Sequence, residues 1–163
     1  MTTIRALAIT VSNRAAAGVY EDRSGPVLVS LLRSAGCTSV DGPLVVPDGD
    51  LVEAALREAV AEGYDVVVTT GGTGLTPTDR TPEMTRRVLD TEIPGVADAI
   101  RAAGADAVPA AILSRGVAGV AGHTLLVNLP GSSGGVRDGM AVLARVLTHA
   151  VDQIRGGDHP RPA

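Results

Sequence analysis

Short apolar runs alternate with helical patterns along this chain. The apolar runs are rich in aliphatic and β-branched residues, as is typical of buried strands, and they span residues 4–11, 44–46, 66–70 and 124–129. Apolar residues at helical spacing predict helices at 26–32, 51–62, 96–103 and 136–154. This alternation predicts an α/β fold in which a mostly parallel sheet carries helices on both faces.

Local signals and chain length complete this prediction. Thr81 followed by Pro82 predicts another helix start, with Thr81 as the N-cap and Pro82 at the first helical position. The glycine-containing stretch 110–120 does not distinguish helix from strand. A chain of 163 residues fits one domain, which we expect to span residues 1–155, with a flexible C-terminal tail at 156–163.

The composition excludes several kinds of chemistry. All 14 basic residues are arginine, and the chain contains no Lys, Trp or Phe. Without lysine there is neither a P-loop lysine nor a Schiff-base catalyst. A net charge of -4 and a total of 2 tyrosines argue against a nucleic-acid-binding surface. A phosphate group must therefore be held by backbone N–H groups, by arginine or by a metal ion.

Cellular location is inferred from cysteine content and hydropathy. Cys37 has no partner for an intrachain disulfide, which fits a reducing compartment, and we expect its thiol to be structural. No apolar run approaches the ~20 residues that a membrane-spanning helix needs, and the N-terminal residues do not resemble a signal peptide. The sequence therefore predicts a cytoplasmic protein that does not bind membranes.

Three polar loops follow predicted strands and are candidates for a ligand site. They lie at residues 46–50, 69–79 and 129–133. In open α/β sheets ligands bind beyond the carboxyl ends of the strands, so we expect the three loops to meet at one edge of the sheet. This convergence is the strongest functional signal that the residues give without any comparison.

The second of these loops contains the run Gly71-Gly72-Thr73-Gly74, which is preceded by Thr70. Glycines let a backbone turn sharply and bring its N–H groups close to an anion, and the threonines add hydroxyl groups. We interpret the loop as a phosphate-binding element. The alternative is a tight turn between a strand and a helix that binds no ligand.

Two carboxylates follow different predicted strands. Asp48 lies in the first loop and Asp79 in the second, so both are expected at the same edge of the sheet. Neighbouring carboxylates repel each other unless a cation lies between them, and Mg²⁺ is commonly held by one or two carboxylates together with substrate phosphates. The alternative is that Asp48 forms a turn and that Asp79 stabilises a helix start.

Two further segments carry candidate phosphate ligands. Ser114 and Arg115 lie in the ambiguous stretch, where the planar guanidinium can bind a phosphate through two hydrogen bonds. Ser12, with Asn13 and Arg14 after it, follows the first strand and is a candidate for the same reason. In both segments the alternative is an ordinary charge on the protein surface.

Five segments together resemble the molybdenum-cofactor biosynthesis proteins of the Mog/MoaB type. The most specific is the stretch 69–83, which reads TTGGTGLTPTDRTPE. Four shorter segments match in the same order along the chain, namely VSNR at 11–14, GVYED at 18–22, ILSR at 112–115 and NLPGS at 128–132. The resemblance extends over residues 4–154.

The resemblance implies a three-layer α/β/α sandwich and the activity of a molybdopterin adenylyltransferase. Such an enzyme transfers AMP from Mg-ATP to the terminal phosphate of molybdopterin and releases pyrophosphate. The implied cofactor is Mg²⁺, with ATP as co-substrate. The implied assembly is a homotrimer, and a molybdate-insertion protein is an expected partner. Some MoaB-type members share the fold and have no clear catalytic role, so the alternative is a non-catalytic molybdopterin-binding or scaffold protein.

The resemblance also assigns roles to residues of this chain. Asp48 and Asp79 are the expected catalytic residues and the expected metal ligands. The residues expected to bind molybdopterin or the nucleotide are Ser12, Thr70, Gly71, Gly72, Thr73, Gly74, Ser114, Arg115, Pro130, Gly131 and Ser132. Among these, we expect the loop at 130–132 to lie beside the nucleotide and the Ser114–Arg115 pair to hold the phosphate of molybdopterin.

Overall fold

The computed structural model describes residues 3–157, which form six strands and seven α-helices. The strands are β1 (Arg5–Val11), β2 (Ser39–Val46), β3 (Val66–Thr70), β4 (Thr91–Glu92), β5 (Ala118–Ala121) and β6 (Thr124–Leu129). The helices are α1 (Asn13–Ala16), α2 (Ser24–Ser34), α3 (Asp50–Ala61), α4 (Thr81–Val88), α5 (Pro94–Ala107), α6 (Ser133–Leu143) and α7 (Leu147–Ile154). A short 3-10 helix (Pro109–Leu113) follows α5.

The strands form one sheet in the order β2-β1-β3-β6-β5-β4. β1, β2, β3 and β6 run parallel to one another, whereas β5 is antiparallel to β6 and β4 is antiparallel to β5. This mostly parallel α/β sheet confirms the predicted fold class. The carboxyl ends of the four parallel strands consequently lie at the same edge of the sheet.

Side chains of the central strands alternate between two buried faces, as the two-residue period of a strand requires. On β1, Ala6 and Ala8 pack against α2, α6 and α7, whereas Leu7 and Ile9 pack against α3 and α4. Because both faces are covered, the central strands β1, β3 and β6 are buried at every position after Arg5 and consist mainly of aliphatic and β-branched residues. The result is the three-layer α/β/α arrangement.

The predicted final helix at 136–154 is wrong, because the structure divides it into α6 and α7. The backbone leaves the helix after Leu143 and returns to helical geometry at Leu147, with the N–H of Val146 donating to the carbonyl of Leu143 at 3.0 Å. Leu143 and Leu147 both belong to the same buried cluster, as does Val151. The apolar spacing continues across the turn, which is why the sequence pattern predicts one helix.

Other differences arise where the elements are short or irregular. The ambiguous stretch 110–120 contains the end of the 3-10 helix and β5, and the two-residue β4 is too short to leave a pattern. β2 begins at Ser39, whereas the apolar pattern predicts a strand only from Leu44. The pattern starts late because Gly42 and Pro43 interrupt it, at the point where the register of β2 against β1 shifts.

The cysteine and the chain ends complete the description. Cys37 is buried, and this burial, together with the nearby Asp65 carboxylate, raises the pKa of its thiol to about 11. Of the predicted tail at 156–163, Gly156 and Gly157 donate backbone hydrogen bonds into the end of α7, and the remainder lies outside the described residues. Within residues 3–157, no helix combines the length and the hydrophobicity that crossing a membrane requires.

Candidate active site

Strand register brings the three predicted loops together at the carboxyl edge of the sheet. Thr70 at the end of β3 pairs with Thr10 of β1 on one side and with Leu129 of β6 on the other. The N–H of Gly71 then donates to the carbonyl of Leu129 at 3.1 Å, and that of Ser12 to Val46 at 3.0 Å. The loops that follow β1, β2, β3 and β6 are therefore neighbours in space.

Two clefts open at this edge. The larger has a volume of about 650 Å³, and the smaller has a volume of about 390 Å³. They share four lining residues, namely Gly71, Gly72, Asp79 and Gly131. The glycine loop and Asp79 thus lie where the two clefts meet, which is the geometry needed to bring two bound molecules into contact.

The larger cleft has an apolar wall. Ile100 of α5 and Val108 lie on this wall, together with Leu113 of the 3-10 helix. Ser114 and the N-terminal residues of α6 contribute polar groups to the same cleft. The sequence pattern does not predict this wall, because Val108 and Leu113 follow the end of α5 and Leu113 lies in the stretch that has no clear periodicity.

The smaller cleft is lined mainly by polar residues. Ser12, Arg14 and Tyr20 come from the segment after β1, and Asp48 comes from the loop after β2. The hydroxyl of Ser12 accepts a hydrogen bond from the N–H of Ala15 at 3.1 Å and so caps α1. Tyr20 was missed as a candidate; its place in the segment that matches the family pattern was the available signal.

The glycine loop is packed too closely for larger residues. Gly71 has a φ of 101°, and a Cβ there would lie 2.2 Å from the carbonyl oxygen of Val11. A Cβ on Gly72 would lie 2.4 Å from Oδ2 of Asp48. Only glycine, which has no Cβ, therefore lets the loop backbone lie this close to the end of β1 and to the Asp48 carboxylate.

The other predicted polar groups of these loops are already engaged within the protein. The Thr70 hydroxyl donates to the carbonyl of Pro130 at 2.7 Å, and the Ser132 hydroxyl accepts from the N–H of Gly135 at 3.0 Å. The Ser114 hydroxyl donates to the Thr73 hydroxyl at 3.2 Å. These side chains tie the loops together, and they fix the loop backbone beside the clefts.

Three hydrogen bonds hold the Asp48 carboxylate. Oδ2 accepts from the N–H of Arg80 at 2.9 Å, and Oδ1 accepts from the N–H of Gly49 at 2.7 Å and the hydroxyl of Thr81 at 3.1 Å. The prediction that Thr81 is the N-cap of α4 is wrong, because Arg80 occupies that position and makes no side-chain cap. The Thr81 hydroxyl points to Asp48 instead.

Asp79 lies at the end of an exposed loop. Its Oδ2 accepts from the N–H of Thr76 at 3.1 Å, and its own N–H donates to the Thr76 carbonyl at 3.0 Å. A Cβ on Gly74 would lie 2.8 Å from the same Oδ2. The carboxylate is thus close to the glycine loop, as that of Asp48 is, and it lines both clefts.

Arg115 contacts the protein instead of projecting into either cleft. Its Nε donates to the carbonyl of Gly74 at 2.9 Å, its Nη2 to the carbonyl of Asp79 at 2.8 Å, and its Nη1 to a carboxylate oxygen of Glu83. Partial burial acts to raise the pKa of the Glu83 carboxyl. The hydrogen bonds from Arg115 and from its own backbone, with the charges of Arg115 and Arg86, together hold that pKa below its usual value.

The residues at this edge suit a magnesium ion that is shared with a substrate. Asp48 and Asp79 carry carboxylate oxygens, the kind of ligand that Mg²⁺ prefers, and both carboxylates lie against the glycine loop. Within residues 3–157 no cluster of three or more acidic, histidine or cysteine side chains offers an all-protein metal site. Two carboxylates fit an ion whose remaining ligands are phosphate oxygens and water.

Fold and site together define an α/β protein with two adjoining clefts of small-molecule size at the carboxyl edge of its sheet. The chain belongs to the molybdenum-cofactor biosynthesis family, whose model, described as "Probable molybdopterin binding domain", matches residues 7–149.

Individual relatives agree with this family membership. The chain is 36% identical over 159 residues to a protein of Helicobacter pylori named molybdopterin adenylyltransferase, covering 96% of this chain and 90% of the relative. It is 38% identical over 154 residues to the "Molybdenum cofactor biosynthesis bifunctional protein" of Synechococcus elongatus, covering 94% of this chain and 48% of the relative. The chain therefore spans about half the length of that relative.

A solved structure agrees as well. The molybdopterin biosynthesis Mog protein from Mycobacterium ulcerans superposes with a TM-score of 0.90 and is 52% identical in sequence. The superposition covers 96% of this chain and 99% of the Mycobacterium chain. Such similarity over 96% of the chain confirms both the fold and the family that the sequence motifs predict.

Proposed function

We propose that this protein is a molybdopterin adenylyltransferase, which transfers AMP from Mg-ATP to the terminal phosphate of molybdopterin and releases pyrophosphate. The observation that carries the proposal is the junction of two clefts at the glycine loop, with Asp79 lining both. A reaction that joins two anionic substrates needs two binding places with one point of contact. Relatives that bear the name of this activity support the proposal.

The larger cleft is the better match for the nucleotide. Its volume lies within the range of about 300–1,000 Å³ that is usual for small-molecule sites, and its apolar wall suits a planar base. The loop Pro130–Ser132 and the N-terminus of α6 also line it, and the backbone N–H groups of Gly131, Ser132 and the first residues of α6 favour an anion. The triphosphate would then extend toward the glycine loop.

The smaller cleft is the better match for the phosphate of molybdopterin. Arg14 lies on its wall and is exposed, so its guanidinium is accessible to a phosphate oxygen. This assignment differs from the expectation that Ser114 and Arg115 hold that phosphate. Arg115 already donates to three acceptors within the protein, and this supports the assignment of the phosphate to the smaller cleft.

In the proposed reaction a phosphate oxygen of molybdopterin attacks the α-phosphorus of ATP. A new P–O bond forms, and the bond to the bridging oxygen breaks, so that pyrophosphate leaves with the electron pair. No side chain needs to act as a nucleophile, and the chain's residues orient the two reactants. When bound, Mg²⁺ would offset the charge of the triphosphate and of the leaving pyrophosphate.

The test is the release of pyrophosphate from Mg-ATP by the purified protein, measured with and without molybdopterin. We expect release only when molybdopterin is present, together with formation of adenylylated molybdopterin. Tight binding of molybdopterin without any pyrophosphate would instead support the non-catalytic binding or scaffold function. Omission of Mg²⁺ in a parallel reaction tests the proposed cofactor.

Assembly and partners extend this proposal. We expect a homotrimer, a molybdate-insertion protein as the partner that receives the product, and a cytoplasmic location; these expectations rest on the family resemblance and on the single cysteine. Sedimentation equilibrium at micromolar concentration tests the first of them. A mass equal to three chains is expected, and a mass equal to one chain would exclude the trimer.

A further inference from the structure

An exposed loop at the junction of the clefts is closed at both ends by one side chain. Residues 75–78 are all exposed, and they connect Gly74 to Asp79. Nε of Arg115 donates to the carbonyl of Gly74 at 2.9 Å, and Nη2 donates to the carbonyl of Asp79 at 2.8 Å. The planar guanidinium therefore spans the loop where it leaves the protein and where it returns.

Arg115 is itself held in place from two sides. Its third nitrogen pairs with Glu83 of α4, and its backbone N–H donates to the carbonyl of Thr73 at 2.8 Å. Arg101 of α5 holds the same segment, since its Nη1 donates to the carbonyl of Gly116 at 2.8 Å. The loop is thereby connected to α4 through an exposed ion pair, and to α5 through the partly buried contact of Arg101.

These contacts determine where the Asp79 carboxylate lies. The carbonyl of Asp79 is held by Arg115, while its Oδ2 accepts from Thr76 inside the loop. If the loop ends were released, the carboxylate would move away from the point that both clefts share. A displacement of about 1 Å in a reacting geometry can reduce a rate by about 100-fold.

We propose that Arg115 and Glu83 form a loop clasp that positions Asp79 for the adenylyl transfer, and that Glu83 is a positioning residue of the reaction. This inference rests on the proposed function. Arg115 lines a separate cleft of about 380 Å³ with Arg86 and Val117, so its effect on catalysis passes through the loop and not through direct contact with a phosphate.

The inference is tested with Arg115→Gln, Glu83→Ala and Glu83→Gln. We expect kcat for pyrophosphate release to fall about 10- to 100-fold in Arg115→Gln and in Glu83→Ala, with KM for each substrate changed less than about 3-fold. Glu83→Gln should retain more activity than Glu83→Ala, because its amide oxygen still accepts from Arg115.

A matched control pair joins Arg86 of α4 to Glu92 of β4. Arg86 forms an ion pair with Glu92 at 3.0 Å. The exposed fractions of these two side chains are similar to that of the Glu83 side chain. Arg86→Gln and Glu92→Gln should leave kcat within about 2-fold of the unmodified protein. A rise in KM for ATP or molybdopterin with kcat unchanged in Arg115→Gln would overturn the inference, since it would mean direct substrate binding.

Amide hydrogen exchange supplies a readout that does not need the reaction. Exchange of the Thr76 and Asp79 amides should accelerate at least about 10-fold in Arg115→Gln and Glu83→Ala, but not in Glu92→Gln. If the unmodified protein releases no pyrophosphate, the proposed function fails while exchange still tests the clasp. If the protein is active but neither kcat nor exchange responds to the clasp variants, the clasp fails while the function stands.

Discussion

The two carboxylates at the edge of the sheet are held in different ways. Asp48 accepts three hydrogen bonds on its own side chain, from two backbone N–H groups and the Thr81 hydroxyl. Asp79 is positioned mainly through its backbone, at the end of an exposed loop that Arg115 closes. The Asp48 carboxylate is therefore fixed directly, whereas the position of the Asp79 carboxylate depends on Arg115 holding the backbone of the loop.

Both carboxylates are expected to be essential for the reaction, whatever holds them. Asp48→Asn and Asp79→Asn should each reduce kcat for pyrophosphate release by about 100- to 1,000-fold, because each removes a charged oxygen ligand of the Mg²⁺ that would offset the charge of the transferring phosphate. The measurement is steady-state pyrophosphate release at saturating Mg²⁺. Near-normal turnover in either variant would show that the substituted carboxylate is not needed for the reaction.

Close packing of the glycine loop gives the next largest effect. Gly71→Ala should lower the free energy of unfolding by about 2–4 kcal/mol, because its Cβ would lie 2.2 Å from the Val11 carbonyl at a φ of 101°. Urea unfolding measures the change. Gly95→Ala is the control: nothing lies within 4 Å of its Cβ, and within α5 it should be neutral or stabilising.

Stability also separates the two carboxylates. Asp48→Asn should destabilise the fold by about 1–2 kcal/mol, because its amide would face the N–H of Arg80 or the donors on the opposite oxygen. Asp79→Asn should cost less than about 0.5 kcal/mol, since the backbone contact with Arg115 remains. Equal losses in thermal or urea unfolding would show that both side chains are anchored alike.

Acid dependence gives the smallest effect. The pKa of Glu83 is lowered in the folded protein, so its ion pair with Arg115 contributes stability above the ordinary glutamate pKa of about 4.3. That contribution is lost as the pH falls through the folded-state pKa. It should amount to less than about 1 kcal/mol, because the side chain is half exposed. Unfolding curves of Glu83→Gln and the unmodified protein should converge toward pH 3; a constant difference would contradict the assignment.

The local sequence pattern was sufficient to predict the bounds of a strand where the segment is regular. The runs at 66–70 and 124–129 were predicted with the bounds of β3 and β6, because strands buried on both faces consist mainly of aliphatic and β-branched residues. The loops of the candidate site could also be predicted, because they follow the carboxyl ends of strands and parallel strands end at the same edge of the sheet. The final helix was predicted wrongly, because α6 and α7 cover one apolar cluster and share a continuous spacing.

The amino-acid sequence by itself determined the layered fold, the family and the loops that meet at the edge of the sheet. Only the tertiary structure decided what each polar side chain contacts. Asp48 is anchored by residues about thirty positions away, and Arg115 closes a loop about forty positions away. Such pairings leave no periodic signal, because a hydrogen bond depends on the distance and angle between two groups and not on their separation along the chain.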